Sequence, residues 1–188
     1  MNKEDWINLL KTGDIDAFND ARRENSFEFI DLSGGDFSGM NLTGVNLSYT
    51  NLNGCYFEMC IFHEARLILA KANRSLFNEA DFHLAHLTEA EFINCECVAT
   101  KFDTADLEDA SFKACHLKEA SFIDSQLKRT LFEECMLSDA DFTDALMTET
   151  QFVKCDAEWA ILPDDIRALM PQTKKDVEST IADELERE

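Results

Sequence analysis

The sequence predicts a solenoid, a narrow tube wound from one short repeating unit, and two registers of residues predict it. In the first, every fifth position from 27 to 162 is bulky and apolar: Phe27, Leu32, Phe37, Leu42, Leu47, and so on to Phe152 and Leu162. Only Ala72, Cys97 and Ala157 break the choice of Leu, Phe or Met. Of the 15 Phe in the chain, only Phe18 and Phe29 lie outside this register. In the second, two residues earlier, a small residue recurs from Thr50 through Cys55, Cys60, Ala65 and Ala70 to Cys155 and Ala160. A period of five matches neither the roughly 3.6 residues of a helix face nor the roughly 2 of a strand, so the unit of five is itself the structural element. One large and one small inward residue per unit suit a closely packed interior, with the other three positions turned to water.

Units such as Ala80-Asp81-Phe82-His83-Leu84, Ala105-Asp106-Leu107-Glu108-Asp109 and Ala140-Asp141-Phe142-Thr143-Asp144 resemble the A-D/N-L/F-x-x motif of the pentapeptide repeat family. The resemblance covers residues 27 to 162. It implies an all-β solenoid, a right-handed quadrilateral β-helix with four pentapeptides per coil, in which residues twenty apart stack. The residues support it separately. From Phe92 onward, Phe alternates with Leu, Met or Cys at the bulky position, and four units per coil then place Phe on two opposite faces. About seven coils result, forming a rod roughly 34 Å long at the ~4.8 Å spacing of paired strands. Each buried Leu or Phe contributes ~1.5 to 3 kcal/mol of transfer free energy, so such a rod needs no cofactor to fold.

The elements in chain order are a helical N-terminal cap over residues 1–25, the β-helix over 26–162 and a C-terminal helical segment over 163–188. Asn2 and Asp5 cap a helix carrying Trp6, Ile7, Leu9 and Leu10, and Gly13 stops it. Asp14 opens a second helix with Ile15, Ala17, Phe18 and Ala21 on one side. Two amphipathic helices ahead of a solenoid read as a plug over its first coil, where strand edges and core would otherwise meet water. Gly34, Gly39, Gly44 and Gly54 occupy outward positions where a corner needs a permissive backbone. Past Trp159 and Leu162, Pro163 leads into a short helix that Pro171 ends. A further helix from Lys174, with Thr173 and Asp176 at capping-box spacing, aligns Val177, Ile181 and Leu185. That stripe folds onto the last coil, forms a homodimer seam, or frays.

The seven Cys all take inward positions, so they read as buried, reduced thiols. Cys95, Cys115, Cys135 and Cys155 are spaced by twenty and stack in one column, where parallel side chains disfavour disulfides. No stretch is apolar enough to span a bilayer and the N-terminus lacks a secretory signal, which points to the cytoplasm. No phosphate loop, HExxH, GxSxG or Cys-x-x-Cys occurs, and a convex rod offers no pocket, so the chain reads as a non-enzyme with no catalytic residue and no cofactor. The one metal reading places His83 and His86 beneath Asp103 and Asp106, with His63 a coil below, as ligands for Zn²⁺; solvated surface side chains are the plainer reading of the same residues.

The formal net charge is −21, with 16 acids against 5 bases in residues 133–188. That charge repels nucleic acid and suits a protein partner with a basic surface. The reading is an interaction scaffold whose partner no motif encodes. The alternative comes from the resemblance: some pentapeptide repeat proteins are acidic rods that look like duplex DNA, bind a type II topoisomerase (gyrase) and protect it from fluoroquinolones. This chain shares the acidity and rod shape but lacks the inserted loops that several of those members carry.

Overall fold

The computed structural model describes residues 1–24 and 29–168. Within the tube the backbone conformation repeats every five residues. Gly34, Gly39, Gly44 and Gly54 have φ between +64° and +72°, and the equivalent residue of each other unit from Tyr49 to Trp159 has φ between +50° and +63°. This residue precedes the small inward one, whose N–H typically bonds back to the bulky residue's carbonyl, as in Gly35 N to Leu32 O at 3.0 Å and Ala65 N to Phe62 O at 3.0 Å. The unit is therefore a tight turn whose second central residue is left-handed. Early coils fill that position with Gly. Later coils use mostly Asp, Glu, Asn, Lys and Arg, with apolar residues such as Leu69, Leu84, Ala99, Ala114 and Trp159 at some units, and Thr104 is the one β-branched residue among them.

Twenty residues separate every pair of stacked positions. Seven short strands, β1 (Ile30–Asp31), β2 (Thr50–Asn51), β3 (Lys71–Asn73), β4 (Glu91–Ile93), β5 (Ser111–Lys113), β6 (Leu131–Glu133) and β7 (Gln151–Val153), form one parallel sheet in sequence order. The register runs Lys71 to Glu91, Glu91 to Ser111, Ser111 to Leu131 and Leu131 to Gln151. Three more columns of parallel bridges begin at Asp36, Asn41 and Asn46. The tube thus has four faces, here A (with β1 to β7), B, C and D in chain order. It makes six turns from β1 to β7 and ends on a partial coil at Leu162, a right-handed quadrilateral β-helix of nearly the length expected.

The interior explains two of the three exceptions to the bulky register, Ala72 and Cys97. Phe62, Phe82, Phe102, Phe122 and Phe142 stack on face C with centroids 4.5 to 5.1 Å apart. The second Phe of each coil lies on face B at Phe37, Phe57 and Phe77, then moves to face A at Phe92, Phe112, Phe132 and Phe152. Ala72 lies on face A immediately below the switch and Cys97 on face B immediately above it. Each coil from β2 to β6 so keeps two rings, and the small residues stand where a third would overfill the tube. Phe77 and Phe92 bridge the change edge to face at 5.4 Å.

At the N-terminal end, α1 (Lys3–Lys11) begins with a reciprocal capping box between Asn2 and Asp5. Gly13, at φ +74°, turns the chain into α2 (Ile15–Glu24). Trp6 and Phe18 meet edge to face at 5.4 Å, and Trp6, Leu10 and Phe18 are buried on the first coil. Trp6 is thus a plug rather than an exposed anchor. Polar contacts fix the cap as well: Lys3 Nζ donates to Ser33 Oγ at 2.8 Å, and Asn19 bonds both Gly44 O at 3.0 Å and Asn46 N at 2.8 Å. Arg22 is buried and donates to the Ser48 carbonyl. At the other end, Pro163 leads into α3 (Asp164–Arg167). The expected helix with Val177, Ile181 and Leu185, and any dimer seam on it, lies outside the described residues.

Candidate functional site

Three of every five residues face outward, so the surface is a set of vertical columns, and charge is unevenly shared among them. Face A matches its acids with cations one coil apart: Lys71 with Glu91 at 3.3 Å, Lys113 with Glu133 at 3.4 Å and Lys154 with Glu134 at 3.0 Å. Face D does the same where Lys128 reaches Glu108 at 3.0 Å and Arg129 reaches Glu108 at 2.7 Å and Asp109 at 2.5 Å. There, contacts from Lys128 and Arg129 hold the Glu108 carboxyl below its usual range, and Arg129 does the same for Asp109. These pairs are exposed and contribute little to stability. Their effect is on the field, because they cancel charge locally.

Faces B and C differ. Face B carries Glu58, Glu79, Glu96, Glu119, Asp139 and Asp156 around the single Lys118, and face C carries Glu64, Asp81, Asp103, Asp124, Asp141 and Asp144 around the single Lys101. None of these acids is buried. The faces are consecutive in the chain and meet at a corner, so one side of the rod holds most of the acidic charge and the other is close to balanced. The composition announces acidity; sorting outward residues by their place in a twenty-residue coil would have revealed the partition.

The residues considered as metal ligands do not converge. His83 Nδ1 lies 3.1 Å from Thr104 Oγ1. Asp103 instead accepts from the Ser121 hydroxyl and from Ile123 N at 3.2 Å. Asp106 accepts from Glu108 N at 3.1 Å and Thr88 Oγ1 at 3.2 Å, and His86 pairs with it through the backbone alone. Carboxylates on this surface fold back onto local donors rather than reach across a corner. His63 Nε2 lies 3.0 Å from Asp81 Oδ2, and the His63 and His83 rings meet at 5.7 Å. Burial opposes ionisation of Asp81, but the contact with His63 and the His83 N–H hold its pKa low. Among the described residues, no three His, Cys, Asp or Glu are grouped to hold a metal ion.

The cysteines are seven buried, unbridged thiols. They are not merely small. Cys55 donates to Leu32 O at 3.1 Å, Cys60 to Phe37 O at 2.9 Å and Cys115 to Phe92 O at 3.3 Å. Thr100 and Thr130 fill the same role, reaching Phe77 O at 2.7 Å and Leu107 O at 2.8 Å. These Cys and Thr of the small register thus donate to carbonyls of the coil below, while the Ala side chains of the register serve packing alone. Burial pushes the Cys55 and Cys60 thiols up to about 11, leaving them protonated and unreactive at neutral pH. No helix among the described residues is long and apolar enough to cross a membrane.

A parallel β-helix with a plugged end and a charged convex surface defines a repeat protein of the structural or interaction class. The chain belongs to the pentapeptide repeat family: a model of pentapeptide repeats in eight copies matches residues 26–58 and 60–96, and a model of the pentapeptide repeat region matches 85–161. Members of the family are structural or interaction proteins. No curated protein matches the chain. Similar solved structures include full-length QnrB1, a plasmid-mediated fluoroquinolone resistance protein, at 21% identity, TM-score 0.40, and coverage of 86% of this chain and 92% of that one. A trypsin-treated form of QnrB1 matches at 20% identity and TM-score 0.45 over 71% of this chain, which spans 65% of it. HetL, a pentapeptide repeat protein involved in heterocyst differentiation regulation in the cyanobacterium Nostoc sp. strain PCC 7120, matches at 19% identity and TM-score 0.24, covering 77% of this chain and 95% of that one.

Proposed function

We propose that this protein is a non-enzymatic scaffold that offers the corner between faces B and C to a protein partner with a basic surface. The observation that carries the reading is the partition of charge: faces A and D set several Lys and Arg beside their acids, whereas on faces B and C a single Lys each, Lys118 paired with Glu119 on B and Lys101 on C, stands among six or more acids. A rigid rod with one acidic side steers a basic partner and fixes its orientation, because complementary fields act before contact is made. The test reverses charge on each side. A variant with Asp124→Lys, Asp139→Lys and Asp144→Lys should lose the partner that full-length protein retains, whereas one with Glu91→Lys and Glu133→Lys should keep it. Equal retention by both variants at low salt would refute the assignment of the side.

The second reading is topoisomerase binding as a mimic of duplex DNA, and the continuous acidic side of an uninterrupted rod favours it. DNA gyrase supercoiling, assayed with a fluoroquinolone and rising amounts of this protein, tests it. Protection lost in the Asp124, Asp139 and Asp144 variant supports this reading, and supercoiling unaltered at a large molar excess of protein removes it.

A further inference from the structure

The cap and the first coils enclose a cleft that runs against the charge of the whole molecule. It measures about 260 Å³ and is lined by Arg22, Arg23 and Arg66 with Asn46, Ser48, Tyr49 and Ile68. A chain with 38 acids and a net charge of −21 brings three arginines together here, and among the described residues no acid lines the cleft. Two elements build it: the last turn of α2 supplies Arg22 and Arg23, and face D supplies the rest. The parts are differently constrained. Arg22 is held in the floor by its bond to the Ser48 carbonyl. Arg23 is exposed and pairs with Asp20. Arg66 is fixed through its backbone, donating to Val45 O at 2.8 Å, while its side chain is exposed. The Ser48 hydroxyl is buried beside them and has no hydrogen-bond partner. Tyr49 also lines the cleft, with a left-handed backbone and 52% of its surface exposed.

We infer that this cleft binds the phosphate group of a small phosphomonoester carrying a planar ring, a mononucleotide being the simplest example. Guanidinium groups in a fixed fork match the tetrahedral oxygens of phosphate, and several arginines together suit its double charge. The unsatisfied Ser48 hydroxyl is a further donor in the floor. The volume lies below the roughly 300 to 1,000 Å³ of drug-sized sites, so the cleft holds the phosphate and leaves the ring at the mouth, where Tyr49 offers a stacking face. The site lies on face D beside the cap, away from the acidic corner of B and C, and its existence is independent of the partner proposed there.

Calorimetric titration of the full-length protein with AMP, inorganic phosphate and adenosine tests the inference. The expected result is that AMP binds at least about tenfold more tightly than inorganic phosphate, that adenosine does not bind, and that Arg66→Glu weakens AMP by about tenfold or more. Arg66 is exposed, so its substitution leaves the fold intact, and Lys101→Glu on face C controls for a general change in charge. Tyr49→Asn, which keeps the left-handed backbone, should bring AMP down to the affinity of phosphate. Absence of AMP binding at about 10 mM, or equal loss in the Arg66 and Lys101 variants, overturns the site. Adenosine binding as tightly as AMP overturns the role of phosphate, and AMP binding no better than phosphate in the unmodified protein overturns that of the ring.

Discussion

Each interior residue answers to its column as well as to its coil. Phe122 stacks between Phe102 at 5.0 Å and Phe142 at 4.8 Å, and meets Phe112 and Phe132 edge on. Phe122→Ala should cost ~3 to 5 kcal/mol in denaturant unfolding, because stacked rings above and below cannot both collapse into the gap; a cost below ~1 kcal/mol would contradict this packing. Outward residues obey the backbone instead. Ala114 has φ +50° and an intermediate exposure, so Ala114→Gly relieves a left-handed strain of roughly 1 to 2 kcal/mol against the greater entropy of unfolded Gly. A net gain of about 0.5 to 1 kcal/mol is expected, and a loss would show that the turn carries no strain. The thiols give a third check. Native protein should react with a thiol reagent far more slowly than unfolded protein, which exposes all seven. The large and small registers that underlie these expectations are plain in the sequence. The hydrogen bonds that Cys and Thr make to the coil below are not, because the same small size serves packing and donation alike.

At the scale of elements, the caps show what local signals can and cannot carry. Asn2, Asp5 and Gly13 mark helix ends through bonds to neighbours in sequence, so α1 and α2 are legible before the fold is known. Arg22 is not. It stands in the last turn of α2, where a cation is ordinary, and only the docking of α2 against Ser48 makes it a buried anchor. The candidate ligands His83, His86, Asp103 and Asp106 fail for the converse reason. Stacking at twenty residues is legible, but the bonds from Ser121 and Ile123 that hold Asp103 and from Thr88 that holds Asp106 come from neighbouring coils, with Glu108 N adding a bond to Asp106 within its own turn. Trp6 tests the plug. With 3% of its surface exposed and Phe18 against its ring, Trp6→Ala should cost ~3 to 5 kcal/mol if cap and tube unfold together. If the cap detaches alone, the tube keeps its thermal midpoint and circular dichroism shows only helix lost, which would separate the plug from the rod's cooperative unit.

For the whole molecule, two electrostatic effects act in opposite directions as pH falls. Asp31, Asp36, Asp81, Glu108 and Asp109 have folded pKa values below their ordinary ones. A group of this kind contributes stability that is fully present above its unfolded pKa and is lost as pH falls through the folded value, so these five work against the fold only in acid. The net charge of −21 acts first. Self-repulsion along faces B and C weakens as pH approaches the isoelectric point near 4.4. At low ionic strength the melting temperature should therefore rise as pH is lowered from about 7 to about 5, then drop below about 4 as the depressed carboxylates take up protons. Salt at about 0.5 M screens the exposed charges and should abolish the rise while leaving the acid limb. The charge-reversed variant carrying Asp124→Lys, Asp139→Lys and Asp144→Lys should show a smaller rise at low salt than the parent. A melting temperature that falls steadily from pH 7 at low salt would mean that the acidic corner imposes no strain on the folded rod.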